Sequence, residues 1–121
     1  MTSDIAAFEA RQPRHETLDA THLKVEIRQE SASPSEPSEA QLVDLSRQGL
    51  GLRVPISLGL HEQVLVQILD EHSGFSIGIS GVVRWQKPAD DGHHFIGLRF
   101  ERELDWETMG ELFLNEILAM D

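Results

Sequence analysis

Cysteine is absent from the 121 residues. That excludes a disulfide framework and a cysteine-based zinc site, and it suits a reducing compartment. Basic residues are scarce: 10 Lys and Arg stand against 21 Asp and Glu, a formal net charge of −11. Such a surface repels nucleic acid and anionic membrane, which both need cations to meet their phosphates. Long apolar runs are missing as well. None exceeds four residues, far short of the ~20 that a membrane-spanning helix requires, and the first ten residues hold no stretch of signal-peptide length. These absences leave one soluble domain with a small core, 40% of its residues being hydrophobic, expected to be cytoplasmic and not inserted in a membrane.

The charge that is present is unevenly spread. Residues 1–40 carry 8 acids and 4 bases, residues 41–100 carry 6 and 5, and residues 101–121 carry 7 and 1. The acid sits at the ends and keeps the chain soluble. The nearly neutral middle still lets an anionic ligand dock where arginines gather.

Hydrophobic periodicity divides the chain. Residues 1–20 show no sustained period, contain Pro13 and read as a flexible N-terminal arm; residues 21–121 read as the folded domain. Leu23, Val25 and Ile27 alternate with Lys24, Glu26 and Arg28, the pattern of a half-buried strand. Residues 29–40, rich in Ser, Pro and Glu, predict a flexible loop. A second strand is expected over Gln41–Ser46, with Val43 and Leu45 facing in and Asp44 and Ser46 facing out. Leu50, Leu52 and Val54 mark a third strand, and Val64, Val66 and Ile68 a fourth. Ile77, Ile79, Val83 and Trp85 share the inward parity of a long fifth strand that glycines 78 and 81 let bend, and Ile96, Leu98 and Phe100 mark a sixth. The period then switches. Trp106, Met109, Leu112, Phe113, Ile117 and Met120 recur at helical spacing behind Asp105, a plausible N-cap, and predict a helix packed on the open end of the strands. Six closely spaced antiparallel strands followed by one amphipathic helix suggest a barrel or a sandwich.

The stretch Asp44-Leu45-Ser46-Arg47-Gln48-Gly49 is where chemistry concentrates. Asp44 and Ser46, two apart, share the strand face expected to point away from the core. A carboxylate accepts two N–H bonds from one edge of a guanine base, and a hydroxyl beside it donates or accepts. Gly49 allows a positive φ and close approach of a flat ligand. A second use of the same residues stays open: Asp44 and Ser46 setting the turn by bonding local backbone N–H groups.

This stretch resembles the Asp/Asn-x-Ser-x-x-Gly signature of the PilZ family. Gly81-Val82-Val83-Arg84-Trp85 is similar to that family's Gly-x-Val-x-Trp strand, and Phe95-Ile96-Gly97-Leu98-Arg99-Phe100 to its closing Gly-x-x-Phe strand. The resemblance spans about Arg11 to Glu101. It implies an all-β fold with a C-terminal α-helix, a six-stranded antiparallel split β-barrel, acting as a non-catalytic receptor or adaptor for the bacterial second messenger cyclic di-GMP. It further implies that Asp44 and Ser46 hold one guanine, that Gly49 keeps the surface open, and that Arg11 and Arg14 in the arm clamp the other guanine and the phosphates. The family's arm carries Arg-x-x-x-Arg; here Arg11-Gln12-Pro13-Arg14-His15 matches it imperfectly. The alternative is a degenerate member that has lost the nucleotide and serves as a protein-interaction adaptor. Either way a downstream protein partner is expected.

The motifs of other chemistries are missing. Six histidines lack H-E-x-x-H or H-x-H spacing, so no metal site is expected. No Gly-x-Ser-x-Gly elbow and no phosphate-binding glycine loop appears, and the adjacent acids Asp70-Glu71 and Asp90-Asp91 read as turns. An enzyme is not expected, nor a cofactor. Trp85 reads first as core packing and second as a stacking platform.

Overall fold

The computed structural model describes residues 15–16, 23–30, 37–115 and 117. Among these described residues seven strands occur: β1 (His15–Glu16), β2 (Leu23–Gln29), β3 (Ser38–Leu45), β4 (Gly49–Val54), β5 (Gln63–Asp70), β6 (Ser76–Pro88) and β7 (His94–Phe100). One helix, α1 (Trp106–Leu114), follows them. Every strand pairing is antiparallel. The order β3-β2-β5-β6-β7-β4 returns to β3 through the β3–β4 pairing, so six strands close into a barrel. Closure gives each of those six a paired neighbour on both sides.

The two-residue β1 lies beside the barrel. It pairs His15 with Leu45 and Glu16 with Asp44, along the stretch of the β3 edge just beyond where β2 leaves it. This pairing is the described part of the expected arm. The second strand begins at Ser38 and not at Gln41, because Ser38, Glu39 and Ala40 pair with Ile27, Glu26 and Val25. The expected loop is shortened accordingly.

The alternation read from β2, β4, β5 and β7 is the alternation observed. Val25, Ile27, Leu50, Leu52, Val54, Val64, Val66, Ile68, Ile96 and Leu98 are buried in one cluster. Each such side chain contributes about 1.5–3 kcal/mol when fully removed from water. Two strands break the alternation with a β-bulge, one between Leu42 and Asp44 on β3 and one between Val83 and Trp85 on β6. A bulge adds one residue opposite a single partner and switches which face the following residues occupy. On β3 it turns Leu42 and Leu45 inward and leaves Val43 40% exposed, correcting the expectation that Val43 faces the core. On β6 it keeps Val83 inside but moves Trp85 to the outer face, where it is half-buried.

The helix is capped as expected. The Asp105 carboxylate accepts the Thr108 N–H at 2.7 Å, satisfying one of the first-turn donors that lack an intrahelical partner. Met109 and Leu112, with Ile117 just past the helix, join the barrel core. Trp106 does not: it is 72% exposed. The expected apolar stripe is therefore split between the core and the surface. Met120 lies outside the described residues.

Candidate functional site

Four residues on four neighbouring strands stand in one row on the outside of the barrel. Asp44 is the register partner of Gly51, Gly51 of Gly97, and Gly97 of Trp85. With strands about 4.8 Å apart, the backbone row is about 14 Å long. Neither glycine carries a side chain to fill its outward position, and the end residues lean in over them. A Cβ on Gly51 would come within 2.8 Å of an Asp44 carboxylate oxygen. One on Gly97 would overlap the Trp85 indole outright. The glycines thus let a carboxylate lie against β4 and an indole lie against β7.

The result is a groove of about 280 Å³ lined by Val43, Asp44, Gly51, Trp85, Lys87 and Phe95, among others. The Lys87 ammonium lies 5.9 Å from the ring centres of both Trp85 and Phe95. The next outward row runs Arg53, Phe95, Lys87, and the row on the other side places Arg99 between Gly49 and Val82. The groove thus has a carboxylate at one end and an aromatic floor with Lys87 at the other, and Arg53 and Arg99 stand at the neighbouring register positions. Of these cations Lys87 lines the groove itself, while Arg53 donates to the Asp90 carbonyl at 3.3 Å. A flat ring can lie on the indole, a donor edge can bond the carboxylate, and anionic groups can reach the flanking cations.

The turn after Asp44 is built differently from the expectation. Ser46 is 3% exposed and does not share the outward face of Asp44. Its hydroxyl donates to the Gly49 carbonyl at 3.3 Å and accepts the Gln48 and Gly49 N–H groups at 3.2 and 3.3 Å. The Ser46 N–H also bonds the Gly49 carbonyl at 2.8 Å. Gly49 does not use a positive φ; the glycines that do are Gly74 and Gly92. It is glycine because a Cβ there would overlap the Leu98 carbonyl oxygen of β7.

The same turn is tied to the entry of α1. The Arg47 Nε–H donates to the Leu104 carbonyl at 2.8 Å, and the Leu104 N–H donates to the Arg47 carbonyl at 2.8 Å. The Phe100 N–H bonds the Gln48 carbonyl at 2.8 Å, and the Gln48 side-chain amide donates to Glu103 at 2.8 Å. The Arg47 guanidinium lies 4.1 Å from the Trp106 ring centre.

The family model of the PilZ domain matches residues 10–115, nearly the whole chain. The chain belongs to the PilZ domain family. No protein with a curated description matches it. Among solved structures, the inhibitor of motility MotI/DgrA of Bacillus subtilis is similar, with a TM-score of 0.60 and 15% identity over 87% of this chain. This chain spans 48% of that protein, so the likeness carries the barrel and no more.

Within this PilZ domain the residues expected from sequence are only partly brought together. Asp44 faces the groove. Ser46 and Gly49 form the buried turn beside it. Arg11 and Arg14 lie outside the described residues. Sequence reasoning missed Gly51, Gly97, Lys87 and Phe95, and it placed Trp85 on the wrong face. The glycines left a signal: each stands between two inward residues, Leu50 and Leu52 or Ile96 and Leu98, so each occupies an outward strand position where a missing side chain marks close approach. Among the described residues, no three His, Asp or Glu side chains gather as a metal site would need, and no helix is long and apolar enough to cross a membrane.

Proposed function

We propose that this PilZ domain is a non-catalytic cytoplasmic receptor for cyclic di-GMP, which it holds in the groove on the outer face of the barrel. The observation that carries the reading is the Asp44–Gly51–Gly97–Trp85 row, with its flanking Arg53, Lys87 and Arg99. Asp44 accepts the N–H edge of one guanine, and the Trp85 face supports a base. The cations meet the phosphates. Arg14 is one peptide bond before His15, whose strand pairing lies against Leu45 and Asp44. That proximity supports a role for Arg14, and with it Arg11, in clamping the ligand. Ser46 and Gly49 contribute by shaping the turn that presents Asp44.

Titration calorimetry with cyclic di-GMP tests this on wild type, Asp44→Ala, Trp85→Ala and Arg14→Ala. Loss of a charge-assisted hydrogen bond or of a base stack costs about 1–3 kcal/mol, so each substitution weakens binding by roughly 5- to 150-fold. Equal heats for all four proteins would end the proposal.

Two observations favour a second reading. The Ser46 hydroxyl is occupied by its own turn, and the arm's arginine pair is incomplete. A domain that has lost the nucleotide and works as a protein adaptor would show no heat with any of the four proteins, while still holding its partner.

A further inference from the structure

The surface of α1 that turns away from the core is not the polar face an isolated barrel helix would present. At 100° per residue, Trp106, Gly110 and Leu114 fall along one edge of the helix, with Glu107 and Glu111 next to them. Trp106 is 72% exposed and Leu114 is 80% exposed. Among the described residues, and setting the helix's own backbone aside, nothing lies within 4 Å of where a Cβ on Gly110 would stand. Two large apolar side chains thus flank an open notch one residue wide. A glycine in a helix interior costs about 1 kcal/mol against alanine, and among the described residues no neighbouring contact requires it here.

Trp106 is also held in place. The Arg47 guanidinium, itself fixed by its bond to the Leu104 carbonyl, stacks on the indole at 4.1 Å. An exposed tryptophan whose orientation is already set loses little freedom when a partner covers it, and such residues dominate binding energy at interfaces. The surroundings are strongly acidic. Residues 101–115 carry Glu101, Glu103, Asp105, Glu107 and Glu111 against Arg102 alone.

From these observations we propose that the Trp106–Gly110–Leu114 face of α1 is a docking site for a basic amphipathic segment of another protein, which seats one apolar side chain in the Gly110 notch and sets its cations against Glu107 and Glu111. The charge selects the occupant. A second copy would bring the same acids to the same place, and an anionic membrane would be repelled. A face of nine residues, about 14 Å long, suits one helical segment better than the broad contact of a stable dimer. The proposal is independent of whether the groove on the barrel wall binds a nucleotide.

The probe is a displayed library of random peptides selected against the immobilised full chain. Enriched peptides are then titrated into wild type, Gly110→Gln, and the double variant Glu107→Lys, Glu111→Lys. Glutamine fills the notch, keeps the charge and is a better helix former than glycine, so Gly110→Gln should melt no lower than wild type. Lost binding in that variant therefore reports the surface and not the fold. The expected result is enrichment of Lys- and Arg-rich peptides with apolar residues at helical spacing. Their affinity should fall about tenfold or more in both variants, and they should shift Trp106 emission to the blue in a Trp85→Phe background. Peptides of no such pattern, or peptides that bind all three proteins equally, would overturn the proposal. So would self-association of the chain, or binding to anionic vesicles, that disappears with the same substitutions.

Discussion

Replacing Gly49 by alanine separates two roles for the last residue of the Asp-x-Ser-x-x-Gly stretch. The new methyl group would overlap the Leu98 carbonyl oxygen and come within 3.6 Å of the Arg99 Cα. The second is an ordinary contact; the first is backbone of β7, held by the ladder that pairs Gly49 with Arg99 and Leu50 with Leu98, so no side chain can rotate out of the way. Overpacking of this kind costs about 1–3 kcal/mol, and a backbone obstacle places it at the upper end. Restricting the unfolded chain returns about 0.4–1 kcal/mol. The net loss is about 2 kcal/mol. For a chain of this size that is a fall in Tm of roughly 8 °C. Thermal unfolding followed by circular dichroism measures it, and cyclic di-GMP titration well below the transition measures the site separately. The expected outcome is a clear loss of stability with most of the binding retained by the folded protein. A variant that melts like wild type but no longer binds would refute the reasoning and return Gly49 to the ligand face.

Arg47→Ala removes a charged donor from the Leu104 carbonyl and the stacking partner of Trp106. It should lower stability by about 1–2 kcal/mol and make Trp106 more accessible to acrylamide in a Trp85→Phe background; unchanged quenching would contradict the stack. The hydrogen bonds from the Thr108 side chain and then its backbone N–H, with Arg47 nearby, hold the Asp105 carboxyl below its usual value. A lowered folded value means that the carboxylate's contribution is fully present above about pH 3.9, the ordinary aspartate value, and is lost as pH falls through the lowered one. Asp105→Asn keeps a good N-cap without the charge. The Tm gap between wild type and this variant should be constant at neutral pH and close on acidification; a gap that widens in acid would show the sign to be wrong.

Much of the barrel was legible because its strands are half-buried, and burial on one face writes itself as alternation. Leu50, Leu52 and Val54, or Val64, Val66 and Ile68, could hardly be read otherwise, and all six are in the core. The two bulges were not legible. A single extra residue changes no composition, yet it breaks the alternation at its own position and offsets the parity of the residues on its two sides. For that reason Val43 is outside where the core was expected, and Trp85 lines a groove instead of the interior. Asp44 was found because its type and its motif agree. Ser46 was assigned outward by simple alternation, but the chain leaves the strand at Leu45 and the hydroxyl turns back onto Gly49. The exposure of Trp106 rests on Arg47, nearly sixty residues earlier in the chain, and no local pattern encodes so distant a contact.

The bonds between residues 46–49 and the stretch before α1 carry a practical consequence for anyone recombining such domains. The Arg47 and Gln48 carbonyls are taken by the Leu104 and Phe100 amides, and the Arg47 and Gln48 side chains by Leu104 and Glu103. The six-residue signature is therefore not a portable cassette. Grafted alone onto a foreign barrel it would arrive with two unmatched carbonyls and two idle side chains, and a chimera should be cut so that residues 100–106 travel with it.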